Sequence, residues 1–352
     1  MLFKSKKDIV GIDIGSSAVK LVQLKEVKGG YQLQNLGLQP LPPEAIVDHS
    51  IMDPVVVQDT IRNLVESLKI KTKNVATSIS GHSVIIRKIT LPIMSEDELE
   101  SSIQWEAEQY IPFDINDVNI DFQILGPDAK DPSQMNVMLV AAKKDFVNDH
   151  VGVFVDIGLN PVVMDIDCFA VENMFEASYG SGAEAIVALI NIGASGMNVN
   201  ILKAGESVFT RDIQVGGNML NEELQKRLGV SGEDAERLKL GGKVEDVDPE
   251  DVLEVLSDAA ESLAQEVQRS LDFFSATSAD EKVQKVFLAG GVSRSAQVIG
   301  ALEERLGIPI ELINPFAGIH YNEKDFDPEY VRAVGPLMSV ATGLAMRRVG
   351  DK

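Results

Sequence analysis

The chain has 352 residues, 45% hydrophobic and 24% charged, which excludes a disordered or low-complexity polypeptide and supplies apolar material for two domains. Its formal charge of -22, from 54 acidic against 32 basic residues, repels nucleic acid and anionic lipid. A single cysteine, Cys168, excludes an internal disulfide framework, and with no secretory leader pattern at the start a reducing cytoplasm is the expected compartment.

The one compact basic cluster, "MLFKSKK" at residues 1–7, reads as a solvated end, because three lysines give little membrane anchoring. At residues 10–24, "VGIDIGSSAVKLVQL" predicts a strand, a tight Gly-Ser-Ser turn and a second strand. Val19, Leu21 and Gln23 alternate with Lys20, Val22 and Leu24 where a dinucleotide-binding protein would start a helix. Asp53 and Pro54 predict the N-cap and first turn of a helix through "VVVQDTIRNLVESLK", followed by strands at "NVATSIS" and "SVIIRKITL".

Residues 85–160 read as an inserted β-α subdomain. Ser95 and Glu98 form a capping box before "LESSIQWEAEQY", and Pro112 stops that helix. "VNIDFQIL" and "NVMLVAA" alternate as strands around a polar hairpin loop, "GPDAKDPSQ", and a second helix, "KKDFVNDHVGVFVDI", ends at Gly158. Trp105, the only tryptophan, is expected to pack against these strands.

The longest uncharged stretch, residues 185–202, carries Asn191, Asn198 and Asn200 and so fails as a membrane span. It repeats the first hairpin instead. In "ALINIGASGMNVNIL", residues 188–202, Asn191 falls on Asp13, Gly193 on Gly15, Ala194 on Ser16, Ser195 on Ser17 and Asn198 on Lys20, which predicts duplicated α/β domains. A strand at "ESVFTRDIQV", a glycine turn and helix at "GGNMLNEELQKRLG", a long amphipathic helix at "DVLEVLSDAAESLAQEVQRSLDFFSA" and a buried strand at "KVFLAG" follow. Two helices should join the halves: one from near Asp167 and Ala170, the other "GPLMSVATGLAMRR", whose Gly335, Ser339 and Gly343 present a smooth face for a close crossing.

Two glycine turns facing each other across a cleft offer backbone N–H groups to a phosphate. Asp13 would oppose a phosphate unless a cation lies between, which points to Mg²⁺ held through water, with Lys20 reaching the phosphates as a point charge. The competing signatures GxxxxGK[ST], GxGxxG before a helix, and GxSxG are missing, and His49, His82, His150 and His320 are too scattered for a zinc site.

With "VFLAGGVSR", the insert's "EAEQYIPFDINDV", the connector "VVMDIDCFAVEN", "GGNMLNEEL" and "NPF" at residues 314–316, the two hairpins resemble the PilM family of type IV pilus assembly proteins. These are relatives of FtsA within the actin, Hsp70 and sugar-kinase superfamily. The resemblance runs from about residue 8 to residue 348. It implies an α/β, actin-like (ribonuclease H-like) fold of duplicated domains around a nucleotide cleft, with an inserted FtsA-like 1C subdomain. Subdomain 1A would take residues 1–84, 1C residues 85–160, a connector residues 161–180, 2A residues 181–217 and 273–317, 2B residues 218–272, and a second connector with the last 1A helix residues 318–352.

The resemblance also implies ATP or ADP with Mg²⁺ as ligands. Asp13 would face the hydrated Mg²⁺, and the amides of Gly15, Ser16 and Ser17 with Lys20 the β and γ phosphates. Gly193, Ala194 and Ser195 would close from the other side. Glu223, Lys226 and Arg227 would hold ribose and adenine, Gly290 and Gly291 would lie beside the ribose and α-phosphate, and Arg294 would stack on adenine opposite Arg227. Relatives that hydrolyse ATP well carry Asp where Asn191 stands, so slow hydrolysis is expected, with Asp165 and Asp167 as candidate substitutes. The implied role is a cytoplasmic adaptor, at the membrane only through a partner. It would dock the N-terminal cytoplasmic segment of inner-membrane PilN in a groove between 1A and 1C, beside other pilus components. A small-molecule kinase and a filament-forming homo-oligomer are the alternatives.

Overall fold

Each of the two related hairpins opens a five-stranded sheet. The computed structural model describes residues 8–128, 130–180 and 185–351, so "MLFKSKK" lies outside the described residues. In the first half, β1 (Val10–Ile14), β2 (Ala18–Val27) and β3 (Gly30–Pro40) form a meander. A small hairpin of β4 (Ile46–Val47) and β5 (Ser50–Ile51), α1 (Pro54–Ser67) and β6 (Asn74–Ile79) follow. The Asp53 carboxylate accepts from Val56 N at 3.1 Å and caps α1, with Pro54 in its first turn.

The insert builds a sheet of its own, order β7-β9-β8, from β7 (Val84–Pro92), β8 (Val118–Pro127) and β9 (Gln134–Lys143), with α2 (Glu96–Ala107) on one face. Ser95 and Glu98 close the expected capping box. Leu99, Ile103 and Ala107 are the α2 positions that turn inward. Trp105 lies about half a turn away from that stripe and is 77% exposed, so it does not pack against the strands. The next helix, α3 (Lys144–Val155), falls within the residues expected for the insert, yet it buries Val153 and Phe154 in the core of the first half. The first sheet is completed by β10 (Asn160–Ile166), giving the order β10-β6-β1-β2-β3, and α4 (Asp167–Tyr179) leads to the second half.

There, β11 (Ile186–Ile192), β12 (Met197–Lys203) and β13 (Glu206–Ile213) repeat the meander. Helices α5 (Asn218–Leu228), α6 (Gly232–Lys239) and the long α7 (Pro249–Thr277) come before β14 (Lys285–Ala289), α8 (Ala296–Leu306) and β15 (Ile310–Leu312). The sheet order is β13-β12-β11-β14-β15, and its core takes Val255, Leu256, Leu263 and Val267 from one face of α7. Each such apolar side chain contributes about 1.5–3 kcal/mol on burial.

The chain returns to the first half through α9 (Pro328–Val334) and α10 (Ser339–Ala345). "GPLMSVATGLAMRR" is therefore not one helix: Gly335–Met338 is a tighter 3₁₀ turn. The close crossing falls at Gly343, where a Cβ would overlap the carbonyl of Ala170 on α4.

Candidate functional site

Strand pairing places Asp13 directly across from Lys20, and Asn191 directly across from Asn198. In the first hairpin Lys20 Nζ donates to Asp13 Oδ2 at 2.8 Å. Burial, with the Asp167 carboxylate nearby, pushes the Asp13 carboxyl above the ordinary range against the pull of Lys20. In the second hairpin Asn191 Nδ2 donates to Asn198 Oδ1 at 3.1 Å, and Asn198 Nδ2 donates to Asp212 Oδ1 at 2.8 Å.

Both turns close by the same bond, Gly15 N to Ala18 O at 3.1 Å and Gly193 N to Gly196 O at 2.8 Å. The Gly15 and Gly193 amides, expected on phosphates, are thus engaged within their own turns. Those of Ser16, Ser17, Ala194 and Ser195 make no hydrogen bond among the described residues. The turns meet across the cleft, where the Ser195 hydroxyl donates to Ser16 Oγ at 2.8 Å.

The other expected contacts lie around the second turn. Gly217 N and Asn218 N donate to the carbonyls of Gly193 and Ala194, fixing the start of α5 on the hairpin. Gly290 has φ +90°, a Cβ there would overlap Ile192 O, and its neighbour Gly291 begins a 3₁₀ turn ending at Arg294. Glu223 and Lys226 pair with each other at 3.1 Å on the outside of α5. Arg227 forks onto Glu254 and Asp258 of α7, each at 2.6 Å, whereas the charge of Arg294 acts on Glu236 of α6. The two guanidiniums thus answer to different helices. Lys239 is a cation that sequence reasoning missed here: its Nζ lies 2.5 Å from Glu236 and 4.0 Å from where a Gly217 Cβ would stand.

The two candidate substitutes for the acid absent at Asn191 stand differently. Asp165 is buried, which raises its pKa, and pairs with Arg347 at 3.3 Å. Asp167 accepts from Ser78 Oγ at 2.6 Å. Sequence reasoning also missed the residues that bridge the halves. Gly81 N donates to Asp212 Oδ2 at 3.1 Å, and Gln214 Nε2 lies 3.3 Å from His82 Nδ1. His49 reaches Ser80 at 3.2 Å and fills the space left by Gly81 and Gly196. Extending the hairpin repeat by one strand would have exposed Asp212, which stands opposite Asn198.

Away from the cleft, a groove of about 510 Å³ runs between α2 and the edge strand β8. Ile103, Ile120 and Phe122 line it, with Glu96, Glu100 and Lys144 at its rim. Among the described residues no group of three or more His, Cys, Asp or Glu is placed to hold a metal, and no helix is long and apolar enough to cross a membrane.

Residues 11–349 match the family model described as type IV pilus assembly protein PilM. The chain is similar to a solved PilM-PilN type IV pilus biogenesis complex: 28% identity, TM-score 0.87, covering 98% of this chain and 99% of that one. It shares its fold with the ethanolamine utilization protein EutJ of Carboxydothermus hydrogenoformans at 16% identity and TM-score 0.56, covering 96% and 88% of the two chains. It also shares its fold with MreB5 of Spiroplasma citri bound to AMPPNP, at 14% identity and TM-score 0.51, covering 96% and 94%. The architecture is the actin-like one of duplicated α/β domains that the paired hairpins led us to expect.

Proposed function

The chain belongs to the family of the type IV pilus assembly protein PilM, and from that premise we propose that it is a nucleotide-holding adaptor docking the N-terminal cytoplasmic segment of PilN. The observation that carries this reading is the match over nearly the whole of both chains to a structure described as a PilM-PilN complex.

The two turns fit the phosphates of ATP or ADP. The amides of Ser16, Ser17, Ala194 and Ser195 supply donors without side-chain cost, and Asp13 supplies one carboxylate for a hydrated Mg²⁺. A bound metal would neutralise charge on Asp13 and the phosphates, and Lys20, now on Asp13, is the cation that would be left to reach a phosphate oxygen. Asn191 carries no charge and takes no proton, so the second hairpin orients without activating water, and hydrolysis is slow.

The groove beside α2 suits an extended peptide. Its β8 wall is an open sheet edge, Ile103, Ile120 and Phe122 offer apolar contacts among polar neighbours, and Lys144 stands where α3 leaves the insert for the first domain. The adaptor is thereby held at the cytoplasmic face of the inner membrane through PilN.

Calorimetry with a peptide copied from the PilN N-terminus, with and without Mg²⁺-ATP, tests the reading. Micromolar peptide binding is expected, and no heat in any nucleotide state overturns the adaptor role. Unchanged ATP affinity in Asp13→Ala overturns the assignment of the cleft.

A further inference from the structure

The inserted subdomain is rooted at one short turn. β6 ends at Ile79 and β7 begins at Val84, so the chain enters the insert through residues 80–83. It leaves through the end of β9, where Lys143 N donates to Ser83 O at 3.1 Å. Both crossings into the insert therefore meet at the same turn.

That turn is also held by the opposite half of the molecule. Gly81 N donates to Asp212 Oδ2 across the cleft, and His82 lies against Gln214. The backbone at Gly81 has φ +94°, and a Cβ there would stand 2.8 Å from the His49 ring. Conformation and space both require glycine, and its N–H is thereby aimed at the carboxylate.

The second oxygen of Asp212 holds Asn198, which in turn holds Asn191. Asn191 Oδ1 stands 2.8 Å from where a Cβ of Gly290 would be, at the far wall of the cleft. One carboxylate thus ties the side chains of the second hairpin to the root of the insert. A phosphate held between the turns would have to part the Ser16 and Ser195 hydroxyls, and Asp212, carried on the second half, would transmit that change to Gly81 at the root of the insert.

We propose that Asp212 is a positioning residue that couples the nucleotide cleft to the peptide groove of the insert. The proposal rests on the adaptor reading and adds its regulation. A coupling of this kind appears as a change of about fivefold or more in peptide Kd between nucleotide-free protein and protein saturated with Mg²⁺-ATP. By linkage the same factor appears in the ATP Kd measured with and without peptide.

The test is calorimetry of both ligands, singly and together, on the full chain and on Asp212→Ala and Asp212→Asn. Asp212 is exposed, so the core is untouched by its replacement. Asparagine keeps one acceptor and turns an amide donor toward either Gly81 N or Asn198 Nδ2, so it too loses a bond. Both variants are expected to bind peptide normally without nucleotide and to bring the ratio below about twofold, short of any working coupling. A wild-type ratio of one with both ligands bound overturns the coupling and leaves the adaptor reading intact. The coupling is equally overturned if the wild-type ratio persists in both variants, or if they lose peptide binding without nucleotide. Failure of the wild-type protein to bind peptide in any state removes the adaptor reading and this proposal together.

Discussion

Two hairpins of the same backbone plan face each other here, one carrying a charged pair and the other a pair of amides. Asp13 and Lys20 occupy the register positions that Asn191 and Asn198 occupy in the second hairpin. The turns keep their closing hydrogen bond while the side chains differ in kind. A buried ion pair depends on both members and answers to cations and pH. An amide pair does neither, and its geometry is set by a neighbour, Asp212. The lesson is a difference in kind: the first hairpin carries a carboxylate and an ammonium, and the second carries only amides, which neither titrate nor bear charge.

The largest effect that should separate the hairpins is that of Asp13→Ala. Losing the metal-facing carboxylate weakens ATP binding by ~100-fold and abolishes its Mg²⁺ dependence, as calorimetry with and without the ion will show. Lys20, half-buried and left without its partner, costs about 1.5 kcal/mol in thermal unfolding.

Next is Glu172 of α4, behind the second sheet, which accepts from Asn200 Nδ2 at 2.8 Å. Burial pushes its carboxyl up to about 7 from 4.5, with Glu176 adding to the rise. The folded state holds this proton more tightly than the unfolded one. The stability it lends is therefore full below about 4.5 and is lost as pH rises through about 7. Glu172→Gln is expected to remove about 2 kcal/mol of that decline, read as a flatter Tm between pH 5 and 8. An unchanged slope would place the titration of the second half elsewhere.

Asn191→Asp tests that difference from the other side. A carboxylate in the second hairpin should raise ATP turnover about tenfold, measured as phosphate release, and an unchanged rate would mean that Asn191 is not what limits hydrolysis. The smallest contrast is between the turn glycines. A Cβ at Gly15 meets the Ala18 carbonyl at 3.3 Å and also the Lys20 end that Asp13 holds, at 2.7 Å, whereas one at Gly193 meets only the carbonyl of Gly196, at 3.2 Å. Gly193→Ala should cost under about 1 kcal/mol of stability and Gly15→Ala slightly more, both read from melting curves.

What could be read from the sequence was local or repeated. The caps at Asp53 and at Ser95 with Glu98 involve residues three apart, and the two hairpins announce themselves by alternation on either side of a glycine turn. What could not be read depended on helical phase or on distant partners. Trp105 lost its place in the core to the stripe of Leu99, Ile103 and Ala107. Arg227 is drawn away by Glu254 and Asp258, 27 and 31 residues further along, and Gly81 finds Asp212 at a separation of 131 residues. The alternation that located the strands says nothing of such pairings, because register fixes a face and not a neighbour.

At the crossing of α4 and α10, Gly343 lies against the Ala170 carbonyl, and Gly11 of β1 lies in the same way against Ala341. Where backbone rests on backbone there are no rotamers to absorb a slide. At Gly343 the two helices can therefore neither slide along one another nor move closer without backbone meeting backbone.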